Sequence, residues 1–493
     1  MTDLEYLKLG KLAKFKHRFL ATIKSIPGRI LGVLKGILMF FFNLVKGFAL
    51  EIKDIFETFR DGDWKTRVSF VVMGFGSAAR GQIFRGLLFF IFQTVFNLYI
   101  LYFGGAYLAK MGTLGTVETA RQGRVTVYGD NSFLILLYGI LTIFFILAFI
   151  YTWRVNIKQN KIAQKIVASG KKLKTAKDDI ASMLDDQFHK TLLALPTIGV
   201  LGFTVLPIIF MILVAFTNFD YEHQPPAKLF TWVGLENFKS MLSSGSANYG
   251  DTFRQVVFWT LTWAFFATFL NYFLGMIVAM MINKKGIRFK KMWRTILVMT
   301  IAIPQFVSLL YVSKMFAADG LINSYLMKWG WISQPLPFWT NGTWAKCTII
   351  GINVWIGIPY IMLIATGILM NIPADLYESA RIDGANAVQT YGKITLPYML
   401  FVTGPYLLTS FTGNINNFNV IYLLSQGKPL SMNLSGNAGY TDLLITWLYK
   451  MTVDDTNYKL AAVIGIIVFV ITAIINLVVY NLMPSVKNEE DFQ

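Results

Sequence analysis

Four residues near position 410 combine polar side chains with helical spacing in an otherwise apolar stretch. Ser410, Gly413, Asn414 and Asn417 stand at i, i+3, i+4 and i+7, so a helix would carry them on one face. Because an amide both donates and accepts hydrogen bonds, such a face suits a polyhydroxylated ligand. Asparagine and serine also join packed helices inside membranes. The pattern therefore predicts either a binding face or a helix–helix contact.

A second group of residues lies in the segment 352–363, INVWIGIPYIML. Pro359 has no N–H, so the carbonyl of Trp355, four residues earlier, loses its helical partner. A freed carbonyl at membrane depth is tolerated where it lines a cavity. Gly357 would open space beside it, and Tyr360 offers an aromatic face and a hydroxyl, which suits a sugar ring. The alternative is a packing kink with Tyr360 in the core.

The segment 371–400, between two apolar runs, contains residues that are typical of helix starts and helix ends. Pro373 suits a first helical turn, and Gly384 ends that helix. Asp383 is placed to cap a second helix, and Pro397 opens the next apolar run. We therefore expect two short helices around a glycine hinge, either as a docking surface for a partner protein or as an ordinary surface pair.

The composition places these residues in a membrane protein. Hydrophobic residues make up 55% of the chain and charged residues 15%, whereas a soluble domain carries about a quarter charged residues. Several apolar runs reach the roughly 20 residues that a helix needs to cross a bilayer. The formal charge of +18 is concentrated in loops between these runs. That distribution is typical of membrane topology signals, so no nucleic-acid partner is expected.

Eight membrane spans are predicted, which places both termini on one side. The spans are 86–108, 132–152, 191–216, 255–283, 295–317, 347–370, 398–424 and 460–483. The segments richest in Lys and Arg are 1–85, 153–190 and 283–294, and all three fall on the same side. The positive-inside rule makes that side the cytoplasm.

The segment 31–50 is apolar enough to compete for a ninth span. Lys35 and Lys46 are close to three helical turns apart and share a face. A basic amphipathic helix of this kind lies in the membrane interface. A crossing would place the lysines before residue 30 outside or invert every later loop, so we predict an interfacial helix.

Candidate residues for catalysis or metal binding are sparse. Cys347 is the single cysteine, and the three histidines stand far apart, so no metal site is expected. A membrane-embedded enzyme such as a glycosyl-lipid transferase would need clustered acidic residues, but those in the predicted external loops are scattered. A channel would need filter residues that are not visible. The chain contains no GxxxxGK[ST] phosphate loop, so ATP would be bound elsewhere.

The segment 371–397 carries a known combination of residues at fixed offsets. Its members are Glu378, Ser379, Ala380, Asp383, Gly384, Ala385, Ile394, Leu396 and Pro397. This combination resembles the EAA motif of bacterial ABC-importer membrane subunits. In that family the loop couples the membrane subunit to the ATP-hydrolysing subunit. Ser379 departs from the usual alanine and Tyr391 from the common phenylalanine, and both changes are small.

The region 191–484 resembles, more narrowly, the larger membrane subunit of maltose/maltodextrin importers. The shared segments are VAFTNFD, WVGLENF, NVWIGIPY, NINNFNVIYLL and GYTDLLITWLYK. The resemblance implies sugar contacts midway across the membrane at Ile356, Gly357, Tyr360, Ser410, Asn414 and Asn417. Gly413 belongs to the same face, but a well-known relative has an aromatic residue there, so sugar length preference is expected to differ.

The resemblance also implies the organisation of the chain and its partners. We expect an all-α polytopic protein with the type I ABC-importer permease fold. A basic N-terminal segment, 1–85, precedes two spans and a basic loop, 86–190; the six-helix core, 191–484, precedes a cytoplasmic tail, 485–493. The implied function is import of maltodextrin-type sugars across the bacterial cytoplasmic membrane, or of galacto-oligosaccharide or raffinose-type sugars.

The implied partners are a second, smaller permease subunit, two ATP-binding subunits, an extracellular sugar-binding protein and membrane lipid. No cofactor is expected on this chain, since ATP and magnesium would be bound by the ATP-binding subunits.

Overall fold

The computed structural model describes residues 35–482 except 37, 40, 41, 123, 246–248 and 285. Within these, the chain forms two compact units. The first unit contains the described residues as far as Ala109 together with Tyr138–Leu201, and the second contains Lys110–Leu137 and the chain from Gly202 onward. The boundary after Leu201 falls inside the third span, whereas the sequence placed the start of the core at 191.

Seven helices in the described part of the chain are long and apolar enough to cross a membrane, and the count reaches eight if one bent helix pair forms a single span. In chain order the first four spans are Ile83–Lys110, Ser132–Ala168, Phe188–Val214 and Gly250–Asn283. The fifth span is the pair Lys290–Ala302 and Gln305–Met315, followed by Gly342–Leu369, Ala387–Ile415 and Tyr458–Asn481 as the sixth to eighth. Seven of the eight predicted spans correspond to single helices, and the fifth corresponds to the bent pair.

Shorter elements connect the spans. The short helices are Trp64–Val68, Phe75–Ala78, Ala176–Leu184, Glu236–Leu242, Leu321–Lys328, Ala374–Ile382, Phe418–Leu424 and Leu444–Val453. Strands Ala120–Gln122 and Val125–Val127 form an antiparallel hairpin in which Ala120 pairs with Val127. This hairpin is a small exception to an otherwise helical fold.

The fifth span is bent by 92° between its two helices, so the prediction of one continuous helix over 295–317 is wrong. Ile303 has extended backbone, with φ −82° and ψ 128°, and it precedes Pro304. The proline ring disfavours the helical conformation in the residue before it, and Pro304 cannot donate an N–H to the preceding turn. The apolar run therefore breaks in its middle.

The seventh span also differs from its predicted limits of 398–424. Its helix begins at Ala387, before Pro397, and it ends at Ile415. A π-helical turn at Tyr391–Thr395 lies directly before the α-helical part that begins at Leu396. After Asn416 and Asn417, a separate helix runs over Phe418–Leu424. The second helix expected in the loop 371–400 is therefore the first part of the span itself.

Small residues allow close packing of the fourth and sixth spans. A Cβ placed on Gly275 would lie 2.6 Å from the Cβ of Ile361. Small residues at such positions let helices approach within a membrane, where the hydrophobic effect does not drive their association. Around this contact, buried residues of the fourth, sixth and seventh spans, including Met276, Met362 and Met399, form one core cluster.

A buried ion pair organises the segment between the seventh and eighth spans. The Asp442 carboxylate is fully buried and accepts hydrogen bonds from Lys450 Nζ at 2.6 Å, Thr446 Oγ1 at 2.9 Å and the backbone N–H of Gly439 at 2.7 Å. Burial raises the pKa of Asp442, and the Lys450 ammonium opposes that rise. A buried pair is tolerated when further hydrogen bonds satisfy its remaining lone pairs, as they do here.

The described residues of the predicted interfacial segment, 35, 36, 38, 39 and 42–50, have exposed side chains, and 42–50 belongs to a helix that continues to residue 60. Two ion pairs join this helix to the second span, Glu51 with Arg154 and Asp54 with Lys161. Both basic partners lie in the charged extension of that span. The interfacial position stays a prediction. The predicted tail, 485–493, and the segment before residue 35 lie outside the described residues.

Candidate substrate face and coupling loop

A cleft of about 410 Å³ lies where the bent fifth span meets the sixth span. The fifth span contributes residues on both sides of its bend: Thr300, Ile301, Ala302, Ile303, Pro304, Gln305 and Ser308. The sixth span contributes Asn353, Trp355, Ile356, Gly357 and Tyr360. Three of the predicted sugar contacts, Ile356, Gly357 and Tyr360, therefore come together.

The chemistry of this cleft is mixed. The side chains of Trp355 and Tyr360 are about half exposed, and both present aromatic faces, while Asn353, Gln305 and Ser308 bring hydrogen-bonding groups. The sixth span continues as a helix through Pro359. Because proline has no N–H, the Trp355 carbonyl at the cleft wall cannot have its usual helical donor. Trp355 lines the cleft, and the exposure of its carbonyl to that cleft stays a prediction.

Gly357 has a different role from the one predicted. A Cβ at this position would lie 2.3 Å from Nδ2 of Asn271 in the fourth span, so the absent side chain admits that amide. Asn271 is 8% exposed, and its Oδ1 has no hydrogen-bond partner among the described residues. Leaving a buried polar atom unpaired costs about 1–3 kcal/mol. Gly357 thus places a polar side chain directly behind the cleft wall.

The seventh-span residues do not form one continuous helical face. Ser410, Gly413 and Asn414 lie within the span, but the helix ends at Ile415, and Asn417 caps the next helix by accepting from the N–H of Val420 at 3.3 Å. The expected i+7 geometry is therefore wrong. Nδ2 of Asn417 instead donates to Oδ1 of Asn414 at 3.3 Å across the break.

Asn414 also makes contacts with the fourth span. Its Nδ2 donates to Oγ1 of Thr268 at 2.9 Å, and its backbone carbonyl accepts from Nε1 of Trp263 at 3.1 Å. Both asparagines thus make helix contacts, while their half-buried side chains retain hydrogen-bonding capacity. A Cβ on Gly413 would meet no atom within 4 Å, so this position is open.

None of these seventh-span residues lines the 410 Å³ cleft within the described residues. The two groups are connected through packing instead. Ile356 packs against a buried cluster that includes Val420 and Ile421 of the helix after the break. The predicted contacts of the sixth and seventh spans are therefore neighbours in the second unit, not walls of one cavity in this chain.

Some polar residues near the site were not predicted. Asn353 stands four residues before Gly357, so helical periodicity could have indicated that it shares the cleft face. Gln305 and Ser308 enter the cleft only because the fifth span bends, and no spacing rule finds them. Asn271 and Thr268 belong to the fourth span, and only the packed structure brings them near Gly357 and Asn414.

The loop carrying the EAA-like residues has a sharply defined hinge. Helix Ala374–Ile382 ends at Asp383, and Gly384 follows with φ +74°, a conformation that glycine adopts without steric cost. The N–H of Gly384 donates to the carbonyl of Arg381 at 3.0 Å, and that of Ala385 to the carbonyl of Ala380 at 2.9 Å. These bonds satisfy the carbonyls at the helix end.

Asn386, and not Asp383 as predicted, caps the helix that follows. Its side chain accepts from the N–H of Gln389 at 2.9 Å, and the Gln389 side chain accepts from the N–H of Asn386 at 2.9 Å. This reciprocal pair is a capping box. Asp383 is the C-cap residue of the preceding helix, and its backbone N–H donates to carbonyls of that helix.

The remaining residues of the motif are distributed over the hinge and the base of the seventh span. Glu378 and Ser379 are exposed on the first helix, Ala380 and Ala385 are half-buried, and Ile394 lies in the π-helical turn. The seventh span continues with half-buried Leu396 and exposed Pro397. Tyr377 and Thr395 hydroxyls lie 3.1 Å apart and brace the first helix against this base.

Apolar side chains surround the hinge without a cover in the described chain. Ile382 is 87% exposed and Val388 is 78% exposed. Apolar residues presented beside a rigid glycine turn are typical of a protein-docking surface. The loop thus has the shape and surface of a docking element that is attached to a membrane span.

The apolar crossings, the polar cleft at the bend of the fifth span and the exposed loop before the seventh span fit a polytopic transport permease. Residues 271–488 match the family described as binding-protein-dependent transport system inner membrane component. The chain belongs to this family of ABC-importer permeases and is a transport subunit, not an enzyme.

Several relatives are similar over most of their length. The chain is 33% identical over 431 residues to the maltodextrin transport system permease protein MdxF of Bacillus subtilis, covering 85% of this chain and 95% of the relative. It is 33% identical over 421 residues to the galactooligosaccharides transport system permease protein GanP of the same organism, covering 85% and 97%. The maltose/maltodextrin permease MalF of Escherichia coli is 32% identical over 272 residues, about half of each chain.

A solved structure supports the fold. The membrane chain in the crystal structure of a bacterial alginate ABC transporter, in complex with an alginate pentasaccharide-bound periplasmic protein, superposes with a TM-score of 0.50. The two chains are 21% identical, and the match covers 62% of this chain and 96% of that one. The permease fold predicted from the sequence is confirmed.

Replacing Asn417 separates its capping role, which the structure shows, from its predicted contact with substrate. Asn417→Ala removes the cap of helix Phe418–Leu424 and should lower stability by about 1 kcal/mol. Asn417→Ser keeps an acceptor for the Val420 N–H and should recover most of that loss. The thermal midpoint and yield of the assembled complex measure both. Transport by the stable Ser variant then shows whether the amide also contacts substrate. Unchanged stability of Asn417→Ala would contradict the capping role.

Proposed function

We propose that this chain forms the translocation path for maltodextrin-type oligosaccharides in an ATP-driven importer. The observation that carries the proposal is the cleft at the bend of the fifth span, where exposed aromatic faces stand beside amide and hydroxyl groups. Sugars present apolar ring faces and hydroxyl rims, so they need both kinds of contact. The cleft volume of about 410 Å³ also falls within the roughly 300–1,000 Å³ of small-molecule sites.

In this proposal each group has a limited task. Tyr360 stacks on a sugar ring, while Asn353, Gln305 and the freed carbonyl of Trp355 hydrogen-bond to hydroxyls. Ser410, Asn414 and Asn417 contribute further polar groups along the path, and open Gly413 leaves room for a sugar unit. The relatives named for maltodextrin and for galactooligosaccharides are equally similar to this chain, at 33% identity. Galacto-oligosaccharides are therefore the second candidate substrate.

The proposed assembly contains this chain, a second smaller permease subunit, two ATP-binding subunits and an extracellular sugar-binding protein. ATP and magnesium would be bound by the ATP-binding subunits and not by this chain. The exposed apolar side chains around Gly384 support a protein partner at that loop. An ATP-binding subunit docked there would drive the base of the seventh span, which continues directly from the hinge.

We further propose that both termini, the loop 153–190 and the coupling loop 371–397 lie in the cytoplasm. The basic segments that begin the fifth span and follow the second support this orientation. In a Cys347→Ser background, an impermeant thiol reagent applied to intact cells should label Met432→Cys and leave Lys177→Cys unlabelled. Both side chains are exposed. Labelling of Lys177→Cys from outside would overturn the orientation.

Gly384→Asn tests coupling with a matched control. Asparagine tolerates the left-handed backbone, and no atom lies within 4 Å of a Cβ at Gly384 or at Gly286, which has φ +95°. The isolated chain should therefore accept both substitutions. If Gly384 contacts an ATP-binding subunit, Gly384→Asn should reduce sugar-stimulated ATP hydrolysis by about tenfold or more, equivalent to roughly 1.4 kcal/mol.

Gly286→Asn should transport normally, and membrane levels of both variants should match the unsubstituted protein. Normal coupling in Gly384→Asn would show that this loop does not dock where we propose.

Tyr360→Ala tests the substrate. In the reconstituted importer with its binding protein, uptake of malto-oligosaccharides should exceed that of galacto-oligosaccharides, and Tyr360→Ala should weaken it by roughly tenfold. Tyr311→Ala removes an exposed tyrosine of the fifth span outside the cleft and should have little effect. Preferred uptake of galacto-oligosaccharides would select the second candidate. Equal effects of the two substitutions would exclude the cleft as the sugar path.

A further inference from the structure

The first unit contains a second cavity, of about 510 Å³, which transport of sugar does not explain. It lies at the start of the first span, beside the connection from the second span to helix Ala176–Leu184. Its charged lining residues are Arg80, Arg85, Lys171, Lys172, Lys174 and Asp179. Five of these side chains are cationic and one is anionic.

The two arginines of this cavity already have partners. Arg80 pairs with Asp63 at 2.5 Å and also donates to Asn160 at 2.8 Å. Arg85 forms a two-point ion pair with Asp179, with Nε donating to Oδ2 at 3.1 Å. Both guanidinium groups are therefore largely neutralised, and they hold the cavity wall in place.

The three lysines at the rim are different. Lys171, Lys172 and Lys174 are exposed, and no carboxylate lies within 4.0 Å of their ammonium groups in the described part of the chain. The N-terminus of helix Ala176–Leu184 is already capped by Thr175 and Asp178, so it offers little to a ligand. The uncompensated charge of the cavity comes from the three lysines.

Gln82 supplies a second, independent feature of a binding site. Its side chain is 9% exposed, and its Nε2 donates to the carbonyl of Lys174 at 2.8 Å. Its Oε1 is buried and has no hydrogen-bond partner among the described residues. An unpaired buried acceptor is costly, which favours a ligand that brings a donor. A hydroxyl group meets that need, whereas a fully ionised phosphate, which only accepts hydrogen bonds, does not.

The position of the cavity indicates where such a ligand comes from. Ile83 and Phe84 line the cavity, begin the first span and are 70% and 51% exposed. The cavity therefore opens where the lipid-facing apolar surface of the span begins. Basic pockets at the ends of membrane helices suit the headgroups of anionic lipids.

We infer that this cavity binds an anionic glycerophospholipid whose headgroup carries free hydroxyl groups. The phosphate lies among Lys171, Lys172 and Lys174, and a headgroup hydroxyl donates to Oε1 of Gln82. The acyl chains follow the apolar surface that begins at Ile83 and Phe84. The site lies outside the region that matches the permease family, residues 271–488.

Lipid titration of the purified full importer, followed by native mass spectrometry, tests this site. Phosphatidylglycerol should bind to the unsubstituted chain, and each lysine removed in Lys171→Gln, Lys172→Gln and Lys174→Gln should weaken binding about fivefold. A matched triple variant, Lys165→Gln, Lys177→Gln and Lys190→Gln, removes the same charge from exposed lysines outside the cavity. It should bind nearly as the unsubstituted chain does.

The conservative triple variant with arginine at positions 171, 172 and 174 should also retain binding, which separates charge from folding. Equal weakening in the two glutamine triples would show only general attraction to basic surface and would overturn the site. Binding of soluble glycerol 3-phosphate as tight as that of phosphatidylglycerol would overturn the lipid as its source.

Gln82→Met tests the hydroxyl contact. The unsubstituted chain should prefer phosphatidylglycerol over phosphatidic acid, which has no headgroup hydroxyl beyond its phosphate. Gln82→Met removes the acceptor and should bring the two affinities together. If Gln82→Met still prefers phosphatidylglycerol over phosphatidic acid, Oε1 of Gln82 does not accept a hydrogen bond from the headgroup.

Discussion

The hydrocarbon interior supplies no hydrogen bonds, so every backbone polar group in a span must be satisfied within the protein or face a cavity. This constraint explains where the helices of this chain break. The fifth span bends at Ile303–Pro304, and the cleft lies at that bend. The seventh span ends at Ile415, where Trp263 donates to the Asn414 carbonyl and Asn417 accepts from the Val420 N–H. At these two breaks, a cleft or side-chain hydrogen bonds lie beside the irregular backbone.

Carboxylates outside the spans that are removed from water are likewise paired and hydrogen-bonded within the protein. Asp442 and Lys450 are both buried, but three hydrogen bonds engage both oxygens of the carboxylate. Asp220 joins the loop after the third span to the eighth span through Lys459 at 2.6 Å. Burial raises the pKa of Asp220, but hydrogen bonds from Lys459 and His223 outweigh it, so the pKa lies below its usual range. The Asp220 carboxylate is therefore ionised at neutral pH, where it pairs with Lys459.

The sequence was sufficient for features that depend on composition or on one residue. Hydropathy predicted the seven spanning helices and the bent pair. The glycine hinge was predicted at Gly384, and this residue has positive φ. The sequence was insufficient where a helix breaks without a change in hydropathy. Pro304 interrupts a helix inside an apolar run, and Asn417 looks helical by spacing although it caps a new helix. The partner of Gly357, Asn271, lies 86 positions earlier in the chain, and no periodicity links them.

The seventh span begins just after the Gly384 hinge and ends beside Asn414, so one helix with a π-helical turn at Tyr391–Thr395 joins the two. Its 29 residues correspond to a length of about 40 Å at 1.5 Å per residue. The hydroxyl contact between Tyr377 and Thr395 lies near one end, about 20 residues or roughly 30 Å of helix before Ile415. A tilt of about 5° around that point would displace the far end by about 3 Å over such a length. A small rotation near Gly384 would thus move the end of the span beside Asn414 by about the length of a hydrogen bond.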